Sequence, residues 1–195
     1  METLKQNPTC AERVQAACNS RLDDLRVMLH PRRADVTLGD NGIGDNGTLD
    51  TVVYIGDDIE MTFTDLADYR DEDGDFDLDS FFEYYEDDIR EECRERFYEY
   101  GLAFDYVEPH TFNGQDEGYL RYQISCGGPS EEIRFYVSPF GERWGMTAYA
   151  LHRAEFWYLD WFDGAKVDVT QHPTVRALFD EFHECGSVHS AIRNG

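Results

Sequence analysis

Lysine is nearly missing from this chain: Lys5 and Lys166 stand beside 15 arginines and 41 acidic residues. So few cations exclude direct binding to nucleic acid or to an anionic membrane, since both repel negative surface. No stretch approaches the roughly 18–20 apolar residues of a bilayer span, and no secretory signal is recognisable at the start. The expectation is a soluble cytoplasmic protein. The five cysteines (Cys10, Cys18, Cys93, Cys126, Cys185) are odd in number and lack any C-x-x-C pair, which argues against a disulfide framework or a spaced metal site. Reduced, mostly buried thiols are the economical account. G-x-S-x-G, P-loop, dinucleotide and H-E-x-x-H patterns are all lacking, so no catalytic residue, metal or cofactor is indicated. His152 and Glu155 share a predicted strand but point to opposite faces. His183 and His189 flank Cys185, where a zinc or thiol site is the minor alternative.

What the chain has in excess is negative charge in one place. The net charge is −24 over 195 residues, yet residues 57–117 hold 23 acids against four arginines, a local −19. Residues 1–33 carry six Lys/Arg against four acids, and residues 118–195 sum to only −3. Adaptation to molar salt would spread acids over every exposed element, so the clustering argues against a halophile. Aromatics make up 14%, too many for a disordered acidic tail. The acids therefore decorate a folded core of one domain, 1–195.

Periodicity gives the outline. Thr9 and Glu12 form a capping box before a helix over 10–30 that ends at Pro31. The double GDNG run from Gly39 to Gly47 reads as flexible loop. Short strands are expected over 52–55 and 59–63, then mostly acidic loop over 64–79. Ser80 and Glu83 form a second capping box, opening a helix that stops at Gly101. From Leu102 the period becomes two: 102–106, 120–124, 133–137 and 146–162, followed after Asp163-Gly164, a hairpin signal, by 166–169. Pro173 opens a last helix ending near Gly186. The class is α+β: an antiparallel β-meander packed with an N-terminal helix, a long acidic helix and a C-terminal helix.

The acidic helix is the candidate site. Phe82, Tyr85, Ile89, Cys93, Phe97 and Tyr100 form one stripe toward the core. Glu83, Asp87, Glu91, Glu95 and Glu99 run unbroken on the opposite side at spacing four, each step rising roughly 6 Å. Four successive like-charge pairs cost on the order of 1–2 kcal/mol, only partly offset by Glu86–Arg90 and Glu92–Arg96. Helix stability alone would have alternated the signs. Asp71, Asp73, Asp75, Asp77 and Asp79, with Glu72, could add a second row. The bland alternative is a solvated acidic face. An EF-hand is excluded, because placing Gly74 at loop position six puts Tyr69 first and Ser80 last, neither of them a proper ligand. Opportunistic Ca²⁺ or Mg²⁺ binding by the clustered carboxylates stays open.

Residues 155–162 are aromatic on both sides when read as strand, with Trp157, Leu159 and Trp161 on one face and Phe156, Tyr158 and Phe162 on the other. Such a strand is either central in a covered sheet or half-exposed at a homodimer or partner interface, with Trp157 and Trp161 as anchors.

Residues Glu117–Ser130, Arg134-Phe135-Tyr136, Tyr158–Ala165 and Ala11–Ala17 resemble small acidic proteins of conjugative plasmids, integrative elements and phages, over about half of the chain. Those proteins travel with antirestriction and anti-CRISPR proteins, several of which mimic DNA. The resemblance implies host-defence evasion and a shared scaffold; it transfers no functional residue, and Arg32–Asp79 lies outside it. The expected function is a non-enzymatic inhibitor whose acids occupy a DNA-binding site on a CRISPR or restriction protein. The rivals are an acidic chaperone or immunity-type protein for one basic partner, and an enzyme or metal protein.

Overall fold

A computed structural model describes residues 8–43, 49–64, 66–69, 76–143 and 146–195. The chain divides into two compact units, one of Met1–Leu22 with Tyr100–Gly195, the other of Asp23–Glu99. The divisions fall inside helix α1 (Cys10–Leu29), after Leu22, and inside helix α2 (Leu78–Tyr100), before Tyr100. Helices and antiparallel sheets are both present, so the protein is α+β.

The first unit is built on a five-stranded antiparallel meander in sequence order: β4 (Ala103–Val107), β5 (Tyr119–Ser125), β6 (Ser130–Arg143), β7 (Met146–Asp160) and β8 (Asp163–Asp168). Period-two alternation puts Leu120, Tyr122, Ile133, Phe135, Ala154 and Phe156 on one buried face. Helix α3 (Pro173–Glu184) covers it: Phe182 stacks on Phe104 at 4.2 Å and Phe179 meets Phe135 at 5.8 Å between ring centres. A register shift between Tyr136 and Val137 breaks the expected 133-135-137 alternation. Val137 is only half-buried as a result, while Tyr136 is buried on the opposite face of the sheet, against Tyr119 and Glu155.

At the start of α1, Glu12 Oε2 accepts from the Thr9 N–H at 2.7 Å, one half of the expected capping box; the Thr9 hydroxyl donates to the same oxygen at 3.0 Å, and the Glu12 N–H goes to the Thr9 carbonyl. Further along, Arg21 bonds buried Glu131 at 2.8 Å and the Tyr100 hydroxyl at 3.2 Å. The chain does not finish with α3. Gly186, at φ 82°, turns it into a further helix, α4 (Ser187–Asn194), which buries Val188. Expected as the end of the last helix, Gly186 serves through its left-handed backbone as the joint between two helices.

In the second unit the sheet has three strands, β1 (Val36–Ile43), β2 (Leu49–Ile55) and β3 (Ile59–Thr64), in that order. Strand β1 includes the first half of the GDNG run, expected as loop. Gly39 is a strand glycine because the Tyr54 ring lies across it; a Cβ there would come within 2.5 Å of Tyr54 Cε2. The rest of that run, Gly44–Gly47, lies outside the described residues.

Helix α2 starts at Leu78, three residues before the expected 81, because its cap is Asp77 rather than Ser80. Asp77 Oδ1 accepts from the N–H groups of Asp79 and Ser80 at 3.1 Å, and the Ser80 hydroxyl donates to Asp77 Oδ2 at 2.7 Å. Tyr85, at φ −99° and ψ 15°, interrupts helical geometry. The stripe entering the core is Phe81, Ile89, Cys93 and Phe97, with Tyr85 half-buried between, whereas Phe82 stays at the edge. Phe81 sits inside an aromatic cluster with Phe63, Tyr85, Phe76 and Tyr69 at ring distances of 5.0, 4.8, 5.5 and 5.8 Å.

All five cysteines are free; Cys10, Cys18 and Cys93 are buried, Cys126 and Cys185 exposed. Burial pushes the Cys18 and Cys93 thiols up to about 11. Urea melts should separate the two phenylalanines. Phe81→Ala should cost about 3–5 kcal/mol, against under about 1.5 kcal/mol for Phe82→Ala; equal losses would refute this placement of the stripe.

Candidate acidic interface

The acidic row lies where the buried stripe leaves it. Stripe and row both advance by four residues and are offset by two, half a turn of helix, so Glu83, Asp87, Glu91, Glu95 and Glu99 are all exposed. Among the described residues, Glu83, Asp87, Glu91 and Glu95 have neither a hydrogen-bond nor an ion-pair partner, while Glu99 has Arg96 at 3.8 Å. Arg90 reaches Glu86 at 2.6 Å, as the sequence suggests. Arg96 was expected to offset Glu92 but turns to Glu99 instead.

The row is not unbroken. The departure from helical geometry at Tyr85 falls between Glu83 and Asp87, so the continuous part is Asp87–Glu99, roughly 18 Å of axis.

The proposed second row is thinner than expected. Asp71, Asp73 and Asp75 lie outside the described residues. Asp77 is held as the cap of α2, and its hydrogen bonds from Ser80 keep its carboxyl below the usual range. Asp79 is exposed but pairs with Arg33. Both remaining members therefore have local structural roles.

The aromatic strand also divides. Strand β7 ends at Asp160, which pairs with Asp163 across a two-residue turn made of Trp161 and Phe162. The turn lies two residues before the expected Asp163-Gly164, and Gly164 instead faces Leu159 inside the hairpin. Trp161 adopts φ 48°, unusual for a bulky residue, and is 88% exposed; Phe162 is fully exposed. Trp157 stays on the strand, half-buried, with Arg134 3.9 Å from its ring centre. Trp157 and Trp161 thus do not share a face, because the chain reverses between them.

One feature escaped the periodicity reading: the other face of the five-stranded sheet is a lattice of charge and rings. Arg121 bonds Asp105 at 2.6 and 3.0 Å. Arg134 bonds Glu132 at 2.5 Å and lies 4.7 Å over Tyr119. Glu155, its side chain 8% exposed, accepts from Lys166 at 2.7 Å, Trp157 Nε1 at 3.0 Å and the Tyr136 hydroxyl at 3.2 Å. The signal was available in the alternation of Glu132-Arg134-Tyr136 against Glu155-Trp157 and Lys166-Asp168. Its rows are charged and aromatic, so apolar periodicity does not register it.

Among the described residues, no group of His, Cys, Asp and Glu is placed to hold a metal ion, and no helix is long and apolar enough to cross a membrane. No protein family, curated protein or solved structure matches the chain.

Glu155 gives the lattice a pH signature. Burial alone would raise its carboxyl, but the Lys166 ammonium and the Trp157 and Tyr136 donors outweigh burial and hold it below the ordinary range. The resulting stabilisation is complete above the ordinary value of 4.5 and is lost as pH falls through it toward the lower folded value. In urea melts compared at about pH 6 and about pH 3, Glu155→Gln should show a smaller acid loss than wild type. An identical acid loss would contradict the assignment.

Proposed function

We propose that the protein is a non-enzymatic inhibitor of a bacterial host-defence complex, acting in the cytoplasm of the host cell. Its acidic surface takes the place of nucleic acid on a DNA-binding protein of a CRISPR or restriction system. The observation that carries this reading is the row Asp87–Glu91–Glu95 with Glu99: exposed, largely unpaired and opposite the buried stripe of α2. Carboxylates roughly 6 Å apart approximate the spacing of successive phosphates along one strand. A cationic groove that attracts phosphates attracts this row by the same Coulomb interaction, weakened by salt in the same way.

The exposed Trp161–Phe162 turn favours a second reading. Aromatic anchors of this kind seat in apolar pockets of protein partners, a contact that DNA mimicry alone does not require. Under it the protein is an acidic chaperone or immunity-type partner of one basic protein, bound without competition from nucleic acid.

Charge reversal tests the first reading. Asp87→Lys, Glu91→Lys and Glu95→Lys combined should reduce protection of a phage in a restricting host by about a hundredfold or more, with circular dichroism unchanged. Full protection by the folded triple variant would rule the mimic out.

A further inference from the structure

A cavity of 430 Å³ opens on the charged face of the five-stranded sheet, walled by residues 112–117. Arg134, Arg153 and Lys166 line it, Lys166 being one of two lysines in the chain. Arg153 lies 3.7 Å over the Tyr136 ring and Arg134 3.9 Å over that of Trp157. A guanidinium stacked on a ring turns its N–H edge outward in the plane, toward oxyanions; on Arg134 the Nε and one Nη are already taken by Glu132 at 2.5 Å, which leaves Arg153 and Lys166 as the donors with capacity to spare.

The donors there exceed the acceptors that reach them. Arg153 Nε is buried without a hydrogen-bond acceptor, and Glu155 lies 3.6 Å from it. Lys166 donates to Glu155, leaving further N–H groups on an ammonium that has three. A buried donor without an acceptor is costly, which favours a further oxyanion that comes within reach of Arg153.

The wall has the opposite character. Asp116 and Glu117 expose 94% and 44% of their side chains, although Glu117 also accepts from Arg153 at 2.7 Å. Phe112 presents its ring beside them, 54% exposed. A free oxyanion would enter against the field of a chain at −24. A ligand with both charges carries no net charge into that field, and its amine meets the wall carboxylates and the Phe112 ring. The volume suits a small molecule.

We propose that this cavity binds a small zwitterion of the α-amino-acid class. Its carboxylate lies on Arg153 and Lys166, and its ammonium lies toward Asp116 and Phe112. The inference is independent of the acidic row on α2.

Calorimetric titration of the full chain with the standard α-amino acids tests it, with acetate and methylammonium as the separate halves of the charge pattern. At least one amino acid should bind with a Kd of about 1 mM or tighter, and neither half should. Arg153→Met and Lys166→Met should each weaken that binding about tenfold or more. Phe112→Ser, at the exposed wall, should weaken it with the sheet intact by circular dichroism, and carries the test if either cation variant unfolds. The proposal is overturned if no amino acid binds at about 10 mM, if acetate binds as tightly as any of them, or if binding is indifferent to both Arg153→Met and Phe112→Ser in folded protein.

Discussion

The burial of Phe81, Ile89, Cys93 and Phe97 along one side of α2 decides which carboxylates the protein presents. With apolar anchors every fourth residue, the helix cannot rotate to hide its acids without exposing four core side chains, each worth roughly 1.5–3 kcal/mol of burial. The like-charge repulsion along its continuous part, three pairs from Asp87 to Glu99, is of order 1 kcal/mol in all. Packing wins by several-fold, so the repulsion is held on the surface rather than relieved. That imbalance makes an uncompensated acidic row possible, and it gives a cationic partner a source of binding free energy.

The acidic helix was legible because its two patterns, apolar and acidic, share a spacing and reinforce one another. Its first turn was not. Ser80 and Glu83 fit the capping-box pattern and Asp77 does not, yet Asp77 is the cap, in a segment where Phe81 joins a cluster with Phe63 and Phe76 that sequence spacing cannot reveal. The meander was read nearly strand by strand from apolar alternation. Its turn at Trp161–Phe162 was missed because two large aromatics carry the signature of strand interior. Strand β1 was missed because Gly39 in a run of glycine, aspartate and asparagine signals loop; only the Tyr54 ring shows why a glycine is needed there.

The two acid-bearing surfaces obey different rules. On α2 the carboxylates stand in solvent with few partners, so their energetics depend on what approaches and on salt. On the sheet, Glu132 and Glu155 are buried and matched by Arg134 and Lys166, with Tyr119 and Trp157 packed against those cations. Those charges stabilise the fold, and their surplus donors, rather than their net charge, are what a ligand would meet. A single count of −24 conceals this segregation.

The most direct measurement is the affinity of the protein for a CRISPR or restriction DNA-binding subunit, measured across salt concentration with and without cognate duplex DNA. The account predicts mutually exclusive binding with DNA and a steep loss of affinity as salt rises. A ternary complex containing DNA, or an affinity unchanged by salt, would contradict it.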